Sequence, residues 1–111
     1  MAEAYKYSSV QGNANVNTYS TLYNTSASAT AVLSTIAVCN TASAAATYRI
    51  GIMSSAGSPT GTDGLIAWDT PVPGNDTVFL NIGATMGNSK FIRVSSSGSA
   101  VTFTAFISEI T

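Results

Sequence analysis

Through most of this chain apolar and polar residues alternate with a period of two, the pattern of strands that bury one face. The densest stretch runs from Ala31 to Met53, where AVLSTIAVCN and TYRIGIM flank the spacer Thr41 to Ala46. In the first run Val32, Ile36 and Val38 share one face of a strand, and Leu33, Ala37 and Cys39 share the other. Both faces are then largely apolar, which predicts a strand in the middle of the fold. In the second run Tyr48, Ile50 and Ile52 oppose Thr47, Arg49, Gly51 and Met53, a half-buried strand. The two runs read as a hairpin, or as strands crossing between sheets.

The same period places further strands on either side. Tyr5 and Tyr7 share one face of a short strand within residues 1–17, which read as an N-terminal arm or edge strand. Two such tyrosines can bury ring area and keep their hydroxyls wet, which makes them interface candidates. Thr18 to Tyr23 is a second strand, and Asn24 to Ala29 is a polar loop. Ser54 to Gly64 is a turn-rich connection of the kind that carries function or meets a partner. In Leu65 to Asp69, Asp69 should seek water, which assigns Ile66 and Trp68 to the core face. Pro71 to Asp76 predicts a turn, because two fixed φ angles and a glycine interrupt any ladder. Thr77 to Ile82 resumes as a strand with Val78, Leu80 and Ile82 inward, and Gly83 to Ser89 reads as a loop. Phe91 to Val94 is a strand, Ser95 to Ser99 a turn, and Val101 to Ile110 the last strand. There Val101, Phe103, Ala105 and Ile107 alternate with polar residues, and Phe106 stands outside the pattern, as a bulge or as a ring turned toward a second chain. The alanine-rich spacer Thr41 to Ala46 is too short to hold a helix. The expectation is one all-β domain over residues 18–111, an antiparallel β-sandwich of about eight strands, jelly-roll-like or immunoglobulin-like.

Composition narrows what such a sandwich does. Of 111 residues only 8% are charged, against roughly 25% in ordinary soluble domains. A surface of hydroxyls, amides and methyls loses less on desolvation than one of carboxylates and ammoniums, so it suits burial against protein. The net charge is −1 and the cations Lys6, Arg49, Lys90 and Arg93 are scattered, which argues against nucleic acid as a partner. Cys39 is the single cysteine, so no disulfide forms within the chain, and it reads as a small buried residue of the central strand. No signal peptide and no membrane-spanning run is read in the sequence, so synthesis in a cytoplasm and no membrane partner are expected.

Candidate chemistry is sparse. There is no histidine, which removes the commonest general base and zinc ligand. The acids Glu3, Asp63, Asp69, Asp76 and Glu109 each have a turn, strand-end or terminal explanation, so no catalytic residue is assigned. Asp63, Asp69 and Asp76 lack the spacing of a calcium loop, and neither a metal nor a cofactor is expected. Trp68 with Asp69 could form a sugar platform, although a lone tryptophan in a sandwich fits a core better. Arg49 projects opposite Tyr48 and must reach water or an acidic group, which adds it to the interface candidates.

Leu22-Tyr23, AVLSTIAVCN followed by AATYRIGI, AWDTPVPGNDTVFLNIG and a last strand ending SEIT together resemble small virion structural proteins of tailed bacteriophages, especially cyanophages. The resemblance spans about Leu22 to Thr111, with Asn24-Thr25-Ser26 standing where a Val-Pro turn would be expected. It implies a virion location after assembly in the host cytoplasm and no catalytic residues. It further implies a capsid decoration (cement) protein that contacts the major capsid protein and itself, with a homotrimer favoured by analogy. A tail, baseplate or fibre component in contact with tail proteins is the near alternative, and a carbohydrate-binding module for host attachment is a third.

Overall fold

A computed structural model of the chain describes residues 3–12, 14–54 and 64–111. Among them are eight strands and no helix: β1 (Glu3–Gln11), β2 (Ser20–Asn24), β3 (Thr30–Asn40), β4 (Ala46–Met53), β5 (Leu65–Val72), β6 (Asp76–Met86), β7 (Phe91–Ser96) and β8 (Val101–Ile110). They form two four-stranded antiparallel sheets, ordered β1-β8-β3-β6 and β2-β7-β4-β5. Four of the pairings are nested, β1 with β8, β2 with β7, β3 with β6 and β4 with β5, as in a long antiparallel ribbon rolled on itself. Only β4 and β5 are consecutive strands of one sheet; every other connection crosses the sandwich. That is jelly-roll connectivity rather than the immunoglobulin alternative. It also decides that β3 and β4 cross between sheets instead of forming a hairpin.

The ribbon stays paired where it changes sheet. At one end Thr25, in the β2–β3 turn, exchanges backbone and side-chain hydrogen bonds with Lys90 and donates its hydroxyl to the Gly87 carbonyl at 2.7 Å. At the other end the Asn75 amide donates to the Ala42 carbonyl at 2.8 Å. Beneath that contact lies the buried Asn40, whose Nδ2 donates to the carbonyls of Ala44, Val72 and Pro73 while Oδ1 accepts from the Ala42 amide. A buried amide with all its groups engaged fixes two turns at once. Gly74 lies so close that an added Cβ would sit 2.1 Å from the Ser43 carbonyl oxygen, so only glycine fits there.

Between the sheets the core contains Leu22, Leu33, Ile36, Val38, Tyr48, Ile50, Ile92, Val94, Val101 and Phe103, among others. Leu33 and Ile36 were expected on opposite faces of their strand, yet both are fully buried. The reason is a bulge: Leu33 opposes Ile107 and Thr35 opposes Phe106, so Ser34 is an extra residue relative to β8. The bulge reverses the side-chain parity, and Ala31, Leu33, Ile36 and Val38 all face inward. Cys39 is half-buried on the outer side.

Three boundaries also depart from expectation. β5 continues through Pro71 to Val72 because it is an edge strand, where a missing N–H need not interrupt a ladder. β6 runs on to Met86 through Gly83, whose φ of 65° accommodates an irregularity. β7 includes Ser95 and Ser96, both buried. β1 is bonded to β8 from Glu3 to Gln11 and forms one edge of its sheet.

Near the open ends of β1 and β8, Lys6 donates to Glu109 at 2.8 Å and the Tyr23 hydroxyl donates to the other carboxylate oxygen, tying the first sheet to β2 of the second. These donors, Lys6 foremost, hold the Glu109 carboxyl below its ordinary 4.5. Burial, followed by the Glu109 hydrogen bond, pushes the Tyr23 phenol well above its ordinary 10.0.

Two predictions follow from the core and this clasp. The Tyr48 and Phe103 rings meet edge to face at 6.2 Å, and the buried Tyr48 hydroxyl has no hydrogen-bond partner among the described residues. Phe103→Ala should therefore cost about 3–5 kcal/mol, whereas Tyr48→Phe should be neutral or stabilising by about 1 kcal/mol, as read by denaturant unfolding. For Glu109, a depressed folded pKa means stability that is complete above its ordinary 4.5 and is lost as pH falls through the folded value. Glu109→Gln should remove this contribution, so the mutant's midpoint should fall less steeply than the wild type's between about pH 5 and 3.

Candidate functional site

The outer face of the first sheet gathers three of the four interface candidates. Tyr7 opposes Phe106, which opposes Thr35, and Tyr5 opposes Ser108, which opposes Val32. Odd-numbered β1 residues and even-numbered β8 residues thus point away from the core. Phe106 keeps the regular alternation of β8; it is the adjoining strand β3 that carries the bulge. Tyr5 is 83% exposed, Tyr7 74% and Phe106 43%. With Ser34 and Ser108 they line a shallow groove of about 500 Å³ running over β8. The Ser34 bulge therefore does two jobs, keeping β3 apolar inward and placing a small residue on the groove wall.

Phe79 of β6 extends this face, 63% exposed and directly opposite Ala37. Sequence reasoning did not single it out, although its position between inward Val78 and Leu80 carries the signal. Across the face most of the remaining outward side chains are small or neutral, Ser9, Thr102 and Thr104 beside the aromatics and Ala37 and Cys39 on β3, while at its end the Glu3 carboxylate accepts from the Ser108 hydroxyl at 2.9 Å. An aromatic surface with a hydroxyl and methyl surround matches the composition of protein interfaces, which are depleted in charge at their centres.

Arg49 lies elsewhere, on the outer side of the second sheet. Its Nε and Nη2 donate to the two Asp69 oxygens at 2.7 and 3.1 Å, and Nη1 reaches the Asn17 side chain at 3.3 Å. Its Cζ is 3.7 Å from the centre of the Trp68 ring. The Asp69 bond is the main reason the guanidinium is held above its ordinary range and the carboxyl below its own. The arginine, 12% exposed at its side chain, is thus committed within its own chain and anchors the β1–β2 connection to the sheet.

This geometry corrects the placement of Trp68, which is 49% exposed rather than core. Between β4 and β5 the register runs Tyr48 with Thr70 and then Ile50 with Ala67, so β5 carries an extra residue. Asp69 adopts a φ of 49° there, a conformation that Asp tolerates better than most residues. The bulge turns Ala67 and Val72 inward and sets Trp68 and Asp69 side by side on the outer face, both within reach of Arg49. The bidentate ion pair and the cation–π contact offset the cost of the left-handed residue.

Of the acids weighed for calcium, Asp69 is bound to Arg49 and Asp76 accepts from the Thr77 amide at 2.8 Å. Asp63, and most of the connection from Ser54 to Gly64, lie outside the described residues. No cluster of potential metal ligands occurs among the described residues.

The corrected position of Trp68 is checked by fluorescence. Emission should be that of a half-exposed indole and should be quenched by iodide, and Trp68→Ala should cost about 1 kcal/mol, well short of the 3–5 kcal/mol of a core tryptophan.

No protein-family model matches this chain, and no curated protein or solved structure matches it.

Proposed function

We propose that this chain is a structural protein of a bacteriophage virion, a capsid decoration protein that joins neighbouring shell subunits. The observation that carries the reading is the exposed aromatic face of Tyr5, Tyr7, Phe79 and Phe106 on a domain with 8% charged residues. Exposed apolar surface of this kind is a liability for a free monomer and an asset for a component that is buried on assembly. The resemblance in the strands and turns from Leu22 onward points to the same class, and jelly rolls recur among viral shell proteins, an argument by analogy of fold. In this reading the partners are the major capsid protein and further copies of the chain, no cofactor takes part, and the chain is not an enzyme. A tail or baseplate position uses the same surface chemistry and differs only in where the chain sits on the particle.

A carbohydrate-binding role is favoured by one observation, the partly open Trp68 ring beside Asp69. Against it, Arg49 already covers one side of that ring.

Mass spectrometry of gradient-purified particles, followed by cryo-EM, tests the proposal. The chain should be present in stoichiometric amount with density on the shell; its absence from the particles would sink the virion reading, and density confined to the tail would select the alternative. Replacing Tyr5, Tyr7 and Phe106 together with serine should change stability by about 1 kcal/mol or less, as expected for exposed positions, and should abolish co-sedimentation with shells. A shift of Trp68 emission on adding host polysaccharide, with shell binding absent, would favour the sugar reading instead.

A further inference from the structure

A sandwich of two four-stranded sheets has four edge strands, here β1, β6, β2 and β5. An open edge offers unpaired N–H and C=O groups to any other strand, and proteins blunt it with charge, proline, bulges or brevity. Three of the edges carry such devices across the stretch that a partner would meet. β2 has five residues and a break in its ladder at Leu22. β5 contains Pro71 and the Asp69 bulge. β1 carries Glu3 and Lys6, the latter in the inward row opposite Ile107, and a charge in the inward row is one of the devices that block edge pairing.

β6 is different. It is 11 residues long, and from Thr77 to Met86 it has no charge and no proline. Its register with β3 is unbroken from Asp76 to Asn81. The inward row of this strand, Val78, Leu80, Ile82 and Ala84, packs against the core yet is only partly buried. The corresponding inward row of β1 is Lys6, Ser8 and Val10, two of them polar. Over residues 78–81 the first sheet therefore ends with no blunting device and an apolar row half-covered, and a single added strand would answer both.

We propose that two copies of this chain join edge to edge through β6, antiparallel about a twofold axis, making one continuous eight-stranded sheet. A second copy is the occupant because β6 is complementary to itself: an antiparallel register centred on the regular run from Thr77 to Asn81 sets no charge against another, and a twofold contact closes without leaving a β6 edge open. Pairing with β1 of a neighbour would instead confront the uncharged strand with Glu3 and Lys6 and would propagate. The joined sheets would carry Phe79 from both copies near the axis and extend the aromatic face across the dimer. The proposal rests on the strands and their burial and is independent of the virion reading.

Light scattering after size exclusion, on the full chain across a range of concentrations, is the first measurement. A dimer is expected; a monomer at high micromolar concentration, a trimer or open polymers would each overturn the proposal. Hydrogen exchange read by mass spectrometry locates the contact. Edge-facing amides within residues 78–81 should be protected in the dimer and exposed on dilution, and a dimer that leaves them unprotected overturns the proposal. Leu80→Lys, which gives β6 the inward lysine that β1 already has, should yield a folded monomer by circular dichroism. A folded Leu80→Lys dimer counts against β6, and if the variant fails to fold, exchange in the wild type decides.

Discussion

The fold depends on keeping one apolar row of β3 facing inward along its whole length. β3 is an inner strand of its sheet, paired with β8 on one side and β6 on the other. A strict two-residue period would send Leu33 and Ile36 to opposite faces, exposing one of them. The extra residue at Ser34 keeps both in the core, and because β8 and β6 are registered on β3, their inward rows follow. Moving Ser34 into regular register would displace Ala31 and Leu33 outward, and no neighbouring layer stands ready to cover them.

Bulging has a second consequence, for the surface. At Ser34 it leaves a small side chain beside the groove between the β1 tyrosines and Phe106, and at Asp69 it turns Trp68 outward to lie under Arg49. Both surface features are by-products of keeping the core continuous. The first leaves aromatic area open to a partner, while the second is closed by contacts within the chain. The same event thus yields a candidate interface on one sheet and an internal brace on the other, and the difference lies in whether a charged side chain is at hand to cover the ring.

Much of this was legible in the alternation of residues. All eight strands, the inward faces of β4 and β8 and the outward tyrosines follow from a period of two, because that period is a local property of the extended backbone. The parity reversals at Ser34 and Asp69 were not legible, since nothing in a serine or an aspartate marks it as an extra residue until its partner strand is known. The error on Trp68 follows directly: Asp69 was correctly turned to solvent, but a bulge lets two successive residues face the same side. The lengths of β5 and β6 were also underestimated, because proline and glycine end a strand only when it must pair on both sides or keep a regular backbone. Jelly-roll order is a matter of long-range pairing, which no local pattern encodes.

The few charges of this chain are mostly used at seams. Lys6 meets Glu109 where the first sheet is fastened to β2, Arg49 meets Asp69 where the β1–β2 connection crosses the second sheet, and Lys90 donates to Ser54 beside the turn that Thr25 pins. In a domain with so little charge, that placement leaves the outer face of the first sheet and the edge of β6 almost neutral. Contacts made there would draw on apolar area, shape and backbone hydrogen bonds, which salt screens little. Surfaces of that kind do not steer a partner from a distance, and they hold best where the partner is already concentrated, as it is in an assembly of repeated subunits.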